Sequence, residues 1–151
     1  MARALPSIEA LVAEGRLLPQ PPDPATRRAS LDAARRDVQA AEATRVDYAS
    51  WADAMLYEAG LRAARAIVLA AGYRVDAAKG AHAVAIDAAD VLTQERQHPV
   101  FTRLQRMRRR RNDFMYEASV DPTETDLEQA RLDILVVLSL ADAALEAIPW
   151  Q

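Results

Sequence analysis

Apolar positions along this chain recur every three or four residues, the spacing that gathers them on one face of a helix. No stretch shows sustained period-two alternation rich in β-branched residues, so no strand is expected. A short first helix is predicted from about Ser7, a suitable N-cap, to Gly15. LLPQPPDP (Leu17–Pro24) then breaks the pattern. Pro19, Pro21 and Pro22 do not fit inside a helix, and the segment reads as an extended connector. Asp23-Pro24 opens a second helix, with Asp as cap and Pro at the first helical position, running to about Thr44. A third, long helix is predicted from about Asp47 to Ala71, stopping at Gly72. Its apolar stripe is Tyr48, Ala52, Met55, Ala59, Ala66, Ile67 and Ala70, with small residues that allow close helix approach.

GYRVDAAKG follows as a loop, and a fourth helix covers roughly Ala81–Gln94 with Val84, Ala88, Val91 and Leu92 inward. Gln97-His98-Pro99 starts a fifth. SVDPTETDLEQ restarts the chain through either Asp121-Pro122 or the box Thr125-x-x-Glu128. The last helix, to about Ile148, carries Leu132, Leu135, Val136, Leu138, Leu140 and Leu145. The expected fold is therefore all-α: an up-and-down bundle of four main helices with a short N-terminal helix and extra helical elements. Residues 1–22 form the N-terminal helix and proline-rich connector, and 23–151 the bundle.

Composition narrows the chemistry. At 151 residues the chain is long enough for one domain with a genuine core, and its alanine-rich, glycine-poor makeup suits closely packed helices. With no cysteine, disulfides and thiolate metal sites are excluded. No apolar run approaches the ~20 residues a membrane span needs. The N-terminus also lacks a long apolar signal core. A cytoplasmic protein without membrane contact is expected. No metal-ligand cluster, glycine-rich phosphate loop or G-x-S-x-G elbow is present, so neither metal nor cofactor is expected.

Charge changes the picture most. Phe101–Glu117 carries six arginines against two carboxylates, a local balance of +4, which leaves −7 for the rest of a chain whose net charge is −3. Such a strip is a local device rather than a general affinity for polyanions. Val100, Leu104, Met107, Arg111, Met115 and Ala118 define the buried stripe of the fifth helix. Arg111 thus stands where an apolar residue is called for, and a guanidinium there must be paired or must face a ligand. Arg108, Asn112 and Tyr116 follow one another at i, i+4 on the neighbouring face. Arg106, Arg109 and Arg110 point more outward, as a solvated face or a nucleic-acid contact. On the third helix Asp47, Asp53 and Glu58 are candidate partners for these arginines, although solvated or salt-bridged groups are the ordinary reading. His98 lies about 20 Å from Arg111 along the helix at ~1.5 Å per residue. The sequence does not position His82, and a satisfied structural role is the ordinary reading of both histidines.

The string Arg111-Asn112-x-x-x-Tyr116, late in the penultimate long helix, resembles the HEPN domain family, helical bundles marked by Arg-x-x-x-x-His and commonly by Arg-Asn-x-x-x-His. AGYRVDAAKGAHAVAI (Ala71–Ile86) resembles the family's loop, where a long helix ends in Gly-Tyr-Arg and Gly80 and His82 open the next. The helix order fits over about Asp23–Ile148. The resemblance implies a homodimer from a prokaryotic toxin–antitoxin or defence system, and for active members a metal-independent endoribonuclease. In that chemistry the arginine holds the scissile phosphate while the histidine moves protons at the ribose 2′-hydroxyl. Here the histidine position is Tyr116, whose phenol, with a pKa of ~10, hydrogen-bonds a phosphate but is a poor base at neutral pH. One branch of the family reads Arg-Asn-x-x-Glu-Tyr, and this chain has Met115 at the glutamate position. The implied site is Arg111, Asn112 and Tyr116, with Arg106, Arg108, Arg109 and Arg110 along an RNA or nucleotide. The alternative is a non-catalytic module whose basic helix docks a partner such as a nucleotidyltransferase or antitoxin.

Overall fold

The computed structural model describes residues 3–116 and 121–148, with the side chains of 113–116 outside that description. Helix α1 spans Ile8–Ala13, capped by Ser7, whose hydroxyl accepts from the Ala10 N–H at 3.1 Å. Helix α2 (Pro24–Thr44) starts as its sequence demands, with Asp23 accepting from the Thr26 N–H and proline in the first turn. Helix α3 (Ala49–Ala70) ends where Gly72 adopts a φ of +93°, a left-handed turn that a side chain would strain. Helices α4 (Ala81–Leu92), α5 (His98–Tyr116) and α6 (Glu124–Glu146) complete an all-α bundle. No helix among the described residues is long and apolar enough to cross a membrane.

The centre of the bundle is α3, which packs against α2, α6, α4 and α5. Its alanines at 52, 59, 63, 64 and 66 are fully buried, and the close approach they permit explains why so few aromatics suffice for the core. Gly60 stands where α3 meets α5 and α6, close to Leu104 and Ile134. A second cluster, Leu11, Leu17, Val68, Val84 and Ala88, fixes the N-terminal segment onto α3 and α4.

Three sequence expectations are corrected. The connector contains a strand, β1 (Leu17–Pro19), which pairs antiparallel with β2 (Tyr73–Val75) inside the expected loop, Leu17 opposite Val75 and Pro19 opposite Tyr73. Three residues are too few to display period-two alternation, which is why the pattern gave no sign of them. Helix α6 is opened by a capping box whose N-cap lies two residues from either expected cap. Thr123 accepts from the Asp126 N–H at 3.1 Å, and Asp126 accepts from the Thr123 N–H at 3.0 Å. Tyr48 caps α3 instead of joining its stripe and is 60% exposed, while Leu132 and Leu135 of α6 also face outward.

Candidate functional site

The buried stripe of α5 is as its spacing requires: Val100, Leu104 and Met107 are in the core. Arg111, next in phase, is half-buried and paired. Its Nη2 lies 2.8 Å from Glu58 Oε1, and its Cζ sits 5.7 Å from the centre of the Tyr57 ring, a cation–π distance. Two neighbours are also engaged inside the molecule. Arg103 makes a bidentate pair with buried Asp133 of α6 at 2.7 and 3.0 Å, and Arg110 meets buried Asp53 of α3 at 3.0 Å. Burying a lone carboxylate is costly, so each of these arginines offsets the desolvation of an aspartate. Three of the six arginines therefore hold the bundle together.

Arg106, Arg108 and Arg109 form no ion pair among the described residues. Arg106 and Arg109 are exposed. Arg108 is positioned by a neutral group: its Nε donates to Gln105 Oε1 at 2.8 Å. Buried Gln105 in turn donates from Nε2 to the Ala83 carbonyl and to Asp87 Oδ1, both at 3.0 Å. This relay aims Arg108 across the N-terminus of α4 without cancelling its charge. Between α5 and the loop before α4 lies a cleft of about 440 Å³, lined by Lys79, Gly80, His82, Ala83, Arg108 and Asn112 among others. Among the described residues, the lining includes no carboxylate. Gly80, the N-cap of α4, has a φ of +85°, a left-handed conformation that favours glycine at this turn.

His82 supplies a hydrogen-bond donor to this cleft. Its Nδ1 lies 3.1 Å from the hydroxyl of Tyr57, which is 1% exposed. Burial, aided by the Glu58 charge, pushes the Tyr57 phenol up to about 12, so it stays protonated. The Tyr57 hydroxyl has no other hydrogen-bond partner among the described residues, so its O–H is assigned as donor to Nδ1, which places the neutral imidazole's own proton on Nε2. Burial, and then the nearby Arg65 and Arg111 charges against the opposing Glu58, lower the His82 pKa below its ordinary value. The neutral ring is thus favoured by folding, and the stability it contributes is present above the unfolded value of about 6.5 and lost as pH falls through the folded value. Melting temperatures taken between about pH 7 and about pH 5 should fall for the wild type, and His82→Gln should flatten that part of the profile. Parallel profiles for the two proteins would overturn the assignment. The carboxylates held low by hydrogen bonds, Asp126 and Glu128, lose their contribution only at more acidic pH.

Of the residues expected from sequence, Arg108 and Asn112 meet at this cleft, Arg111 lies beneath it against Tyr57, and the Tyr116 side chain falls outside the described residues. Arg106 and Arg110 line a separate depression beside Asp126 and Asp133. Lys79, Tyr57 and Gln105 were not singled out by the sequence reading. Only Gly80 and His82 carried a signal, through the loop resemblance. No cluster of three histidine or carboxylate side chains suited to a metal is present among the described residues.

Fold and cleft together define an all-α bundle with a cation-lined groove between its fourth and fifth helices. No protein-family model matches the chain, and no curated protein or solved structure matches it.

Proposed function

We propose that this is a HEPN-like protein of a prokaryotic toxin–antitoxin or defence system that binds RNA, as a homodimer, through the groove between the Lys79–Gly80 loop and α5. One observation carries the reading: a cleft lined by Lys79, His82, Arg108 and Asn112 contains no carboxylate among the described residues, on a protein of net negative charge. An anion entering it meets two cations and two neutral donors, with nothing to repel it. Binding is favoured over cleavage by the state of the imidazole. His82 is held neutral with its proton facing outward, so it hydrogen-bonds a phosphate oxygen but offers no lone pair to accept a proton.

Fluorescence anisotropy with a labelled hexa-adenylate RNA tests this. Arg108→Ala should weaken binding by about tenfold or more, the effect of losing a charge-assisted hydrogen bond to phosphate, with little change in melting temperature. Equal affinity in the two proteins would remove the groove from consideration.

A second reading has its own support. The engagement of Arg103, Arg110 and Arg111 with Asp133, Asp53 and Glu58 shows much of the arginine strip serving cohesion. In that case the helix docks an acidic protein partner, such as a nucleotidyltransferase or antitoxin, and purified protein binds no RNA.

A further inference from the structure

A second cavity, again about 440 Å³, also reaches Arg108. Ala83 and Arg108 line both spaces, so the two adjoin at Arg108. Leu5, Ala83 and Phe101 give this cavity an apolar wall, Asp87 with its partner Arg3 and Asp90 give it a charged one, and its size is that of a small-molecule site. At its far end stands His98. The ring's Nδ1 lies 2.6 Å from Oδ2 of Asp90, a residue only 2% exposed, while the ring itself is 39% exposed.

Where Asp90 is ionised and the ring neutral, the carboxylate only accepts hydrogen bonds, so Nδ1 carries the proton and donates it to Asp90. Nε2 is left with a lone pair. Its nearest hydroxyl, Thr102 Oγ1 at 3.5 Å, is at the limit of a hydrogen bond, which leaves that lone pair for a ligand. The other Asp90 oxygen, Oδ1, is buried without a partner among the described residues. Leaving it so is costly, and stability alone gives no reason to bury the carboxylate there; its one evident service is to hold the ring. The histidines of the two spaces thus present opposite faces, His82 a donor and His98 an acceptor.

From this pairing we infer that the second cavity is a nucleoside subsite, in which His98 Nε2 accepts a hydrogen bond from a donor on the unit next to the phosphate held at Arg108. The inference rests on phosphate binding at Arg108. The donor is either a ribose hydroxyl or the N–H of a base, and both present the same chemistry to Nε2. Asp90 acts as a positioning residue by fixing the tautomer.

Anisotropy with labelled hexa-adenylate RNA, its deoxy counterpart and hexa-uridylate RNA separates the two donors. Wild type should bind the adenylate RNA about fivefold more tightly than the deoxy chain if the donor is the 2′-hydroxyl, or than the uridylate if it is the adenine amine. His98→Ala should abolish that preference while retaining the weaker, Arg108-dependent binding. Asp90→Asn, nearly isosteric, keeps the test open if His98→Ala does not fold. Its amide N–H donates to Nδ1, moves the ring proton to Nε2 and should remove the preference as well. If all three oligonucleotides bind equally and Arg108→Ala weakens them equally, the subsite is wrong and the groove stands. A preference unchanged in both variants likewise removes His98. If none of the oligonucleotides binds, the groove and the subsite fall together.

Discussion

Gly60→Val should lower the melting temperature by about 5–10 °C, the shift expected when overpacking costs a protein of this size roughly 2–3 kcal/mol. The reason is local. A Cβ built on Gly60 would lie 2.6 Å from Ile134 Cδ1 and 2.9 Å from Leu104 Cδ1, closer than carbon atoms approach without displacement. Both neighbours are buried to within 1% in the core, so neither swings aside freely. Gly60→Ala is a finer probe, because the gain of about 1 kcal/mol from replacing glycine in a helix opposes the clash. Combining it with Ile134→Val, which deletes the nearer methyl, should recover stability relative to Gly60→Ala alone. Thermal melts by circular dichroism decide the matter. Unchanged melting in the valine variant would mean the crossing of α3 with α5 and α6 is looser than described.

Glu58→Gln should strengthen RNA binding several-fold. Glu58 neutralises Arg111 at 2.8 Å on the helix beneath the groove, and removing its charge returns one cation to that side of the molecule. The gain should be largest at low salt. The slope of log affinity against log salt should steepen by about 0.7, the increment for one further contact with a single-stranded phosphate. The same variant removes the charge that favours protonation of His82, so the neutral ring persists further into acid. Arg111→Ala, in contrast, should weaken binding several-fold, because it leaves the Glu58 carboxylate uncompensated on that side of the molecule. Titrations at about 50 and about 200 mM salt separate these outcomes. If Arg111→Ala abolished binding and Glu58→Gln had no effect, Arg111 itself would be the phosphate ligand.

Much of the helical frame is legible because it depends on local rules. Asp23-Pro24 and Gly72 mark the two clearest helix ends, and alanine and leucine at helical spacing mark the buried faces. Helical phase also singles out Arg111 as a charge that must be paired. Its partner is less accessible to such reasoning, since Asp53 and Glu58 differ from other acidic residues only in how α3 and α5 pack. The exposed position of Tyr48 follows from a helix start two residues after the predicted one at Asp47. The His82–Tyr57 and His98–Asp90 contacts depend on side chains that approach across helices or around a turn, and no periodicity records them. The same is true of Gln105, which reads as an ordinary polar residue on an arginine-rich helix but is buried and sets the aim of Arg108.

The short β-ribbon has a consequence for how the groove is kept in shape. β2 runs directly into the loop that carries Lys79 and Gly80, and its partner strand lies more than fifty residues earlier in the chain. Two backbone bonds extend the seam beyond the paired residues: the Gln20 N–H donates to the Gly72 carbonyl at 2.8 Å, and the Asp76 N–H to the Arg16 carbonyl at 3.0 Å. The opening segment is therefore a buttress for one wall of the groove, although it contributes no cation to it. A fragment beginning at residue 23 would retain all the charges assigned to the groove and lose the strut that sets their spacing.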